Sequence, residues 1–338
     1  MPKLSIVVPI FNEAQNLPLL YQRLSHTMQD LEADWEWIAV DDHSADESFA
    51  VLSEIAGRDP RIRVIRLARN CGSHTAITCG LQHASGDCAV VLAADLQDPP
   101  EMIQQLLSEW RLGKQVVWAV REQREGETLI TRGLARAFYF IMRHIVGLRE
   151  MPATGADYLL IDRRVIDGFR QFGECNVSVM ALIGWMGFHQ TTIPYTKQAR
   201  ASGRSGWTLE KKLKLAVDSI TSFTYLPIRL MSYVGATVAL LGFMYAGVAI
   251  SLALRGHSMQ GWASLMVIVL VLGGIQMLMM GVLGEYLWRA LDESRRRPRY
   301  LIEAEAGEGK AVSKSSPVGL LGRTGTPEAR EDVFEHRS

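Results

Sequence analysis

Charge is missing from two long stretches of the sequence: no Asp, Glu, Lys or Arg occurs between Arg229 and Arg255, or between Arg255 and Glu285. Each stretch exceeds the roughly 20 apolar residues that cross a bilayer. That excludes a solvated surface segment and leaves either two membrane helices or two core helices hidden in a large soluble domain. An excess of either charge is missing too. Lys+Arg 36 balances Asp+Glu 36, so nothing indicates a nucleic-acid or acidic partner. Cysteine is scarce, and Cys71, Cys79, Cys88 and Cys175 form neither a CxxC pair nor a spaced framework; reduced thiols in a cytoplasmic setting fit best. No GxGxxG or GxxxxGK[ST] follows an apolar run, which disfavours a dinucleotide or P-loop cradle. His74 and His189 lack a partner at metal-ligand spacing and read as structural. The opening run "LSIVVPIF" is too short for the apolar core of a secretory signal and has no small-residue cleavage site, so it reads as a buried strand.

What fills the charge-free stretches is "LMSYVGATVALLGFMYAGVAISLAL" and "WASLMVIVLVLGGIQMLMMGVLG". Their glycines and small residues suit close helix packing in a membrane. Spans are expected at about 230–254 and 262–287, within a 229–289 hairpin. The connector holds one Arg, whereas Lys211, Lys212, Lys214 and Arg229 precede the pair and Arg289, Arg295, Arg296, Arg297 and Arg299 follow it. By the positive-inside rule both flanks are cytoplasmic, giving a multi-pass protein of the inner (cytoplasmic) membrane with both termini inside. Residues 208–228 read as an amphipathic helix lying on the membrane surface. Residues 290–338 read as a basic segment and, from Glu303, a disordered tail rich in Gly, Ser, Pro and charge.

Upstream, over 1–207, short β-branched runs alternate with helical patterns, which predicts an α/β domain with a mostly parallel sheet. Ligands of such sheets bind beyond the carboxyl ends of the strands. The residues found there are "PIFNE" at 9–13, "VDDHS" at 40–44 and "AADLQDPPE" at 93–101. Asp41 and Asp42 are placed to accept hydrogen bonds from a nucleobase or ribose, or else to cap the next helix. Asp95 with Gln97 or Asp98 suggests an oxygen-rich seat for a hard divalent ion, with the prolines starting the following helix.

The stretches "SIVVPIFNEAQNL", "VDDHSADES", "RNCGSHTAITCGLQHASGD" and "DLQDPPE" resemble the cytoplasmic domain of family 2 glycosyltransferases, with the Rossmann-like GT-A fold. "GADYLLIDRRV", "SGRSGWTLEKKLKLAVDSITSF" and "GVLGEYLWRALDESRRRPRY" resemble, more narrowly, the polyisoprenyl-phosphate glycosyltransferases. The likeness covers roughly residues 3 to 302. It implies inverting, metal-dependent transfer of a sugar from a nucleotide-sugar to a polyprenyl phosphate such as undecaprenyl phosphate, for cell-envelope glycosylation. UDP-glucose is the first choice of donor, with GDP-mannose or a UDP-aminoarabinose type as alternatives. It also implies a homo-oligomer such as a tetramer. From another class, a non-catalytic nucleotide-sugar sensor would keep the same fold without turnover. A processive synthase is disfavoured because no QxxRW segment is present.

Carried over by position, Pro9, Phe11, Glu13 and Asp42 would line the nucleotide pocket, with Val40 and Arg69 placed there too, and Arg200 would contact the phosphates, with Arg204 or Lys211 supplying the charge missing at Gly206. Asp95 and Gln97 would hold Mg²⁺ or Mn²⁺. Arg132 and Arg136, at i, i+4 spacing on one helical face, either reach the lipid phosphate or form a solvated charged face, and Lys211 either draws the lipid phosphate or serves only as a topology signal. Three positions depart from the pattern: Ala93 replaces the first acid of a DADLQ-like segment, Gly206 stands where a Lys often follows GxS, and Leu159 replaces an Arg. Asp157 would be the default base for a hydroxyl acceptor. A phosphate monoester, however, has its second pKa near 6 and needs little help to ionise, so Asp157 is expected to orient the sugar or help place the metal. The expected outcome for Asp157→Asn is a rate loss whose pH profile does not trace a single titrating carboxylate; a profile that did, with acceptor ionisation excluded, would make Asp157 the base.

Overall fold

Alternate side chains of the first strand, β1 (Lys3–Ile10), bury on opposite faces, which requires a covering layer on each side. Leu4, Ile6, Val8 and Ile10 join one apolar cluster and Val7 joins the other. The computed structural model describes residues 2–31, 33–121, 158–174, 177–196, 224–255, 261–295, 297–307 and 310–314. Within them the first cluster is completed by α1 (Leu17–Asp30), α2 (Ser48–Arg58) and α4 (Ile103–Arg111). The second is completed by α3 (Ser73–His83), α5 (Arg163–Phe169) and α6 (Val179–Trp185). The result is a three-layer α/β/α sandwich.

The remaining strands are β2 (Asp34–Asp41), β3 (Ile62–Leu67), β4 (Cys88–Val91), β5 (Val116–Arg121), β6 (Tyr158–Asp162), β7 (Gln190–Tyr195), β8 (Ile302–Gly307) and β9 (Lys310–Lys314). Their spatial order is β7-β5-β6-β4-β1-β2-β3-β8-β9. The four strands β3, β2, β1 and β4 run parallel, so their carboxyl ends share one edge. That is the parallel sheet the alternating pattern predicts. Beyond it, β6 pairs antiparallel with β4 and β5, while β7 pairs parallel with β5. After β4 a single 3₁₀ turn, Pro100–Met102, leads into α4, so the prolines do open the next helix.

Two long helices follow, α7 (Leu226–Leu254) and α8 (Trp262–Ser294). Both are long and apolar enough to cross a membrane, and none of the apolar window in either is buried within the chain, which removes the core-helix alternative. They pack against each other, with Met279 Sδ 3.5 Å from where a side chain on Gly235 would begin. At one end Tyr286 donates to the Thr224 carbonyl at 2.8 Å, Arg229 lies over Tyr225 at 4.2 Å and Arg295 over Trp288 at 5.6 Å. Aromatic and basic groups together suit a headgroup layer. The surface helix expected at 208–228 falls almost wholly outside the described residues.

One expectation is overturned over part of its range. The first stretch of the tail read as disordered from Glu303 returns to the α/β domain, where β8 pairs antiparallel with β3 and β9, ending at Lys314, pairs with β8; residues 315–338 lie outside the described residues. Composition misled because this segment buries little but alanine: Ala304 and Ala306 are buried, with Glu303 and Glu305 alternating between them. Those glutamates meet two arginines on the neighbouring strand, Glu305 with Arg63 at 3.4 Å and Glu303 with Arg66 at 3.1 Å. A period-two pattern of small and acidic residues is a strand when its partner supplies matching cations.

At the opposite end of the sheet from the parallel carboxyl ends, Gly86 brings the chain into β4. A Cβ there would stand 2.6 Å from the Lys3 carbonyl oxygen and 2.7 Å from the Ser5 nitrogen, so backbone would have to move. We expect Gly86→Ala to destabilise the domain by about 2–3 kcal/mol, read as a lower midpoint in chemical denaturation, with ligand affinity of the folded fraction unchanged.

Candidate active site

Three of the parallel strands leave the sheet through the same uncommon backbone conformation. Asn12 after β1, His43 after β2 and Leu96 after β4 have φ of +57°, +59° and +59°. Left-handed geometry is tolerable for Asn and His but costly for a buried Leu. Strain of this kind persists where surrounding bonds enforce it, and it concentrates at functional sites.

The enforcing bonds run between the loops. Asn12 N–H donates to Ser44 Oγ at 3.0 Å, the Asn12 side-chain oxygen accepts from Ala45 N–H at 2.8 Å, and Glu13 N–H donates to Ser48 Oγ at 2.9 Å. The Glu13 carboxylate turns back to accept from the Asn16 side chain. Pro9 is half-buried, and Phe11 lies 47% exposed at the mouth, an aromatic face open to a planar ligand.

Asp41 and Asp42 diverge because strand parity sends them to opposite faces. Neither caps α2, whose first turn instead takes the Asp46 carboxylate on Ser48 N–H. Asp42, on the α3 side, accepts from the backbone N–H groups of Cys71 and Gly72, each at 2.7 Å, and so clamps the loop that begins α3. Desolvation pushes its carboxyl above the usual range against the pull of those two donors. Asp41 is fully buried; its Oδ1 accepts from Ser44 N–H at 3.0 Å, while its Oδ2 accepts no hydrogen bond among the described residues and is ion-paired with Arg66 Nη1 at 3.4 Å. The nearby guanidinium compensates the buried charge.

Two of the expected pocket residues also serve the scaffold. Val40 is sealed in the core on the α3 side and its backbone lies within the sheet, so it braces the strand and offers a ligand no side chain. Asp42 holds its loop through two N–H groups, and its neighbour Asp41 is buried on the opposite face, ion-paired with Arg66. The alternation of β2 carries that signal, because the parity of Asp42 points it at the Cys71–Gly72 loop. Arg69 stands exposed just after β3 on the same edge.

At the end of β4, Asp95 is buried to 7% exposure and its Oδ1 accepts from Gln97 N–H at 3.2 Å across the left-handed Leu96. The Gln97 side chain is half-buried beside it, and Ala93 occupies the same mouth. One carboxylate with a carboxamide fits a hard divalent ion that draws its other ligands from water and substrate phosphate. No cluster of three acidic, His or Cys ligands occurs among the described residues. Asp98 does not join this seat: it is 1% exposed and accepts from Tyr195 Oη at 2.6 Å, with burial and the Asp98 charge both raising the tyrosine's pKa. Asp157, Arg200, Arg204, Arg132, Arg136 and Lys211 lie outside the described residues. Sequence reasoning missed three groups beside Asp41, namely His43, Arg66 and Glu303.

Comparison with known proteins adds an independent finding. The family model described as Glycosyl transferase family 2 matches residues 5–168, and that described as GtrB C-terminal hairpin matches 226–289. The chain is 39% identical to the uncharacterized glycosyltransferase YkcC of Bacillus subtilis, over 90% of this chain and 94% of that one. It is 33% identical to the bactoprenol glucosyl transferase of Shigella phage SfV, over 90% and 99% respectively. Among solved structures, glucosyl-3-phosphoglycerate synthase from Mycobacterium tuberculosis, in complex with Mn²⁺, UDP and phosphoglyceric acid, aligns with TM-score 0.46 at 16% identity, covering 65% of this chain and 76% of that one.

The Asp42 clamp has a measurable signature. Its two bonds, each worth about 1.5–3 kcal/mol, keep Cys71 half-covered, whereas Cys79 and Cys88 are buried. Asp42→Ala is expected to raise the rate of Cys71 alkylation about tenfold or more, mapped by mass spectrometry, with Cys79 and Cys88 unchanged.

Proposed function

Since the chain belongs to glycosyl transferase family 2, we propose that this glycosyltransferase moves a sugar, glucose from UDP-glucose as the first choice, onto a polyprenyl phosphate such as undecaprenyl phosphate. The observation that carries the reading is a union on one chain: buried acids at the edge of a parallel sheet, and two lipid-length apolar helices whose near ends gather Arg and aromatic side chains. The name of the phage relative supports the lipid acceptor and the sugar.

The roles follow from chemistry. Phe11 stacks on the donor's base, and Pro9, Glu13 and Asp42 line the pocket beside it. Arg69, Arg200 and Arg204 face the diphosphate, Asp157 orients the sugar, and Arg132, Arg136 and Lys211 draw the lipid phosphate. Asp95 and Gln97 hold Mg²⁺ or Mn²⁺, which when bound neutralises charge on the departing diphosphate. The acceptor phosphate, largely dianionic at neutral pH, attacks the anomeric carbon from the face opposite the leaving group, so the configuration inverts. Both flanks of the hairpin are cytoplasmic, the site faces the headgroup layer, and the protein works as a homo-oligomer feeding envelope glycosylation.

The test incubates membranes containing the protein with undecaprenyl phosphate and a panel of labelled UDP- and GDP-sugars, with Mg²⁺, Mn²⁺ or EDTA. Label is expected in the lipid fraction, to be abolished by EDTA and lowered about a hundredfold or more by Asp95→Ala. The productive donor names the sugar; no lipid label from any donor, with nucleotide binding intact, would overturn the acceptor assignment.

A further inference from the structure

The left-handed turns at Asn12 and His43 are held by bonds between their own two loops, whereas the turn at Leu96 is held from further along the chain. Two residues after Leu96, Asp98 Oδ1 accepts from Tyr195 Oη at 2.6 Å, and the next carbonyl, that of Pro99, accepts from Tyr158 Oη and from Met102 N–H, each at 3.1 Å. Tyr158 opens β6 and Tyr195 closes β7. Because β6 runs antiparallel to β4 and β5, and β7 parallel to β5, both phenols come to the edge at which β4 ends. Their rings meet edge to face, centroids 5.9 Å apart at 88°, and both are buried. Arg121, the last residue of β5 and in register with Tyr195, is a further donor to the Tyr195 oxygen. Past the prolines, Arg23 of α1 grips Glu101 through contacts of 3.0 and 2.6 Å.

This clamp is more than packing requires. A carboxylate withdrawn from water is costly, and an apolar residue at 98 would fill the same space at less expense. What the carboxylate supplies is direction, through a short charge-assisted bond to one phenol. With the end of β4 fixed on one side and Asp98 and Pro99 fixed on the other, Asp95, Leu96 and Gln97 must bridge a set gap, and Leu96 does so at φ +59°. Released from that constraint, a leucine relaxes to negative φ. The bond from Gln97 N–H to Asp95 Oδ1, which crosses the turn, is lost with it.

We propose that Asp98, gripped by Tyr195 and backed by Tyr158 on the adjoining carbonyl, is a positioning residue of the divalent-ion seat: it holds the strained turn that keeps Asp95 and Gln97 together at the end of β4. The proposal rests on the metal-dependent transferase reading above. Asp98 is thus no ligand, and its work is done through the backbone of the two residues before it.

The experiment uses the full chain in phosphatidylcholine nanodiscs. Mn²⁺ is titrated in with UDP or GDP present and the free ion is followed by electron paramagnetic resonance, while label transfer is measured against Mn²⁺ concentration in parallel. Tyr195→Phe, which keeps the ring and removes one hydroxyl, is expected to weaken Mn²⁺ binding, and to raise the Mn²⁺ needed for half-maximal transfer, by about tenfold. Acceptor KM, and kcat at saturating Mn²⁺, should hold. Asp98→Ala should lose as much, Asp98→Asn, which keeps an oxygen for the phenol, should recover most of the loss, and in the Tyr195→Phe background Asp98→Ala should add little. Tyr21→Phe controls for the loss of a tyrosine–carboxylate bond as such: Tyr21 Oη donates to Asp59 at 3.0 Å, and Asp59 precedes β3 at the opposite edge of the sheet. Its Mn²⁺ affinity should match wild type. Wild-type Mn²⁺ affinity in Tyr195→Phe, or an equal loss in Tyr21→Phe, overturns the proposal. Asp98→Asn as weak as Asp98→Ala overturns it too, since the charge and not the tether would then matter; if Asp98→Ala does not fold, Tyr195→Phe decides alone. A wild type that neither binds Mn²⁺ nor transfers sugar would instead sink the transferase reading, whereas intact metal-dependent transfer with unchanged Mn²⁺ affinity in Tyr195→Phe sinks only this inference.

Discussion

Strands that run the same way must end at the same edge, and the parallel register of β3, β2, β1 and β4 is the constraint on which the rest of this molecule depends. The interior of these strands is apolar on both faces, so their residues cannot carry chemistry without breaking the core. Polar groups are pushed to the exits. There the chain must turn sharply without exposing backbone, and Asn12, His43 and Leu96 do so in left-handed conformations that the loops hold in place through one another. The cost of that geometry is met by the core on either side, where Trp37, Leu17, Val7 and Leu81 are sealed from solvent.

Two adjacent carboxylates in a low-dielectric setting illustrate how the same residue type can be given different work. Asp42 meets two backbone N–H groups and becomes part of the scaffold. Asp41 meets one N–H and the Arg66 guanidinium, which balances its buried charge. The difference is one of direction along a strand, not of exposure.

Much of this was legible in the sequence. The alternation of short β-branched runs with helical patterns gave the three-layer architecture, and charge-free length gave the two apolar helices. The acids at the ends of β2 and β4 stood out as polar groups directly after apolar strands. What escaped was everything that depends on long-range pairing. Glu303 looked like part of a polar tail because its partners, Arg66 and His43, lie far away in sequence and neither carries a signal alone. Asp98 was an alternative to Gln97 at the metal seat, and its partner Tyr195 lies 97 residues away in the sequence. Val40 shares the parity of Ile38, and both side chains are sealed on the α3 side of the sheet.

The return of β8 to β3 also bears on the order in which the protein is made. The first strands emerge early, but the outer edge of β3 waits unpaired while α7 and α8 are synthesised, because β8 comes after both. An open strand edge is a template for wrong pairing, so this chain carries that hazard throughout translation of its apolar helices and sheds it only at the last stage. Completion of the sheet therefore requires the chain leaving α8 to come back to the body that holds β3, over the short link from Ser294 to Ile302.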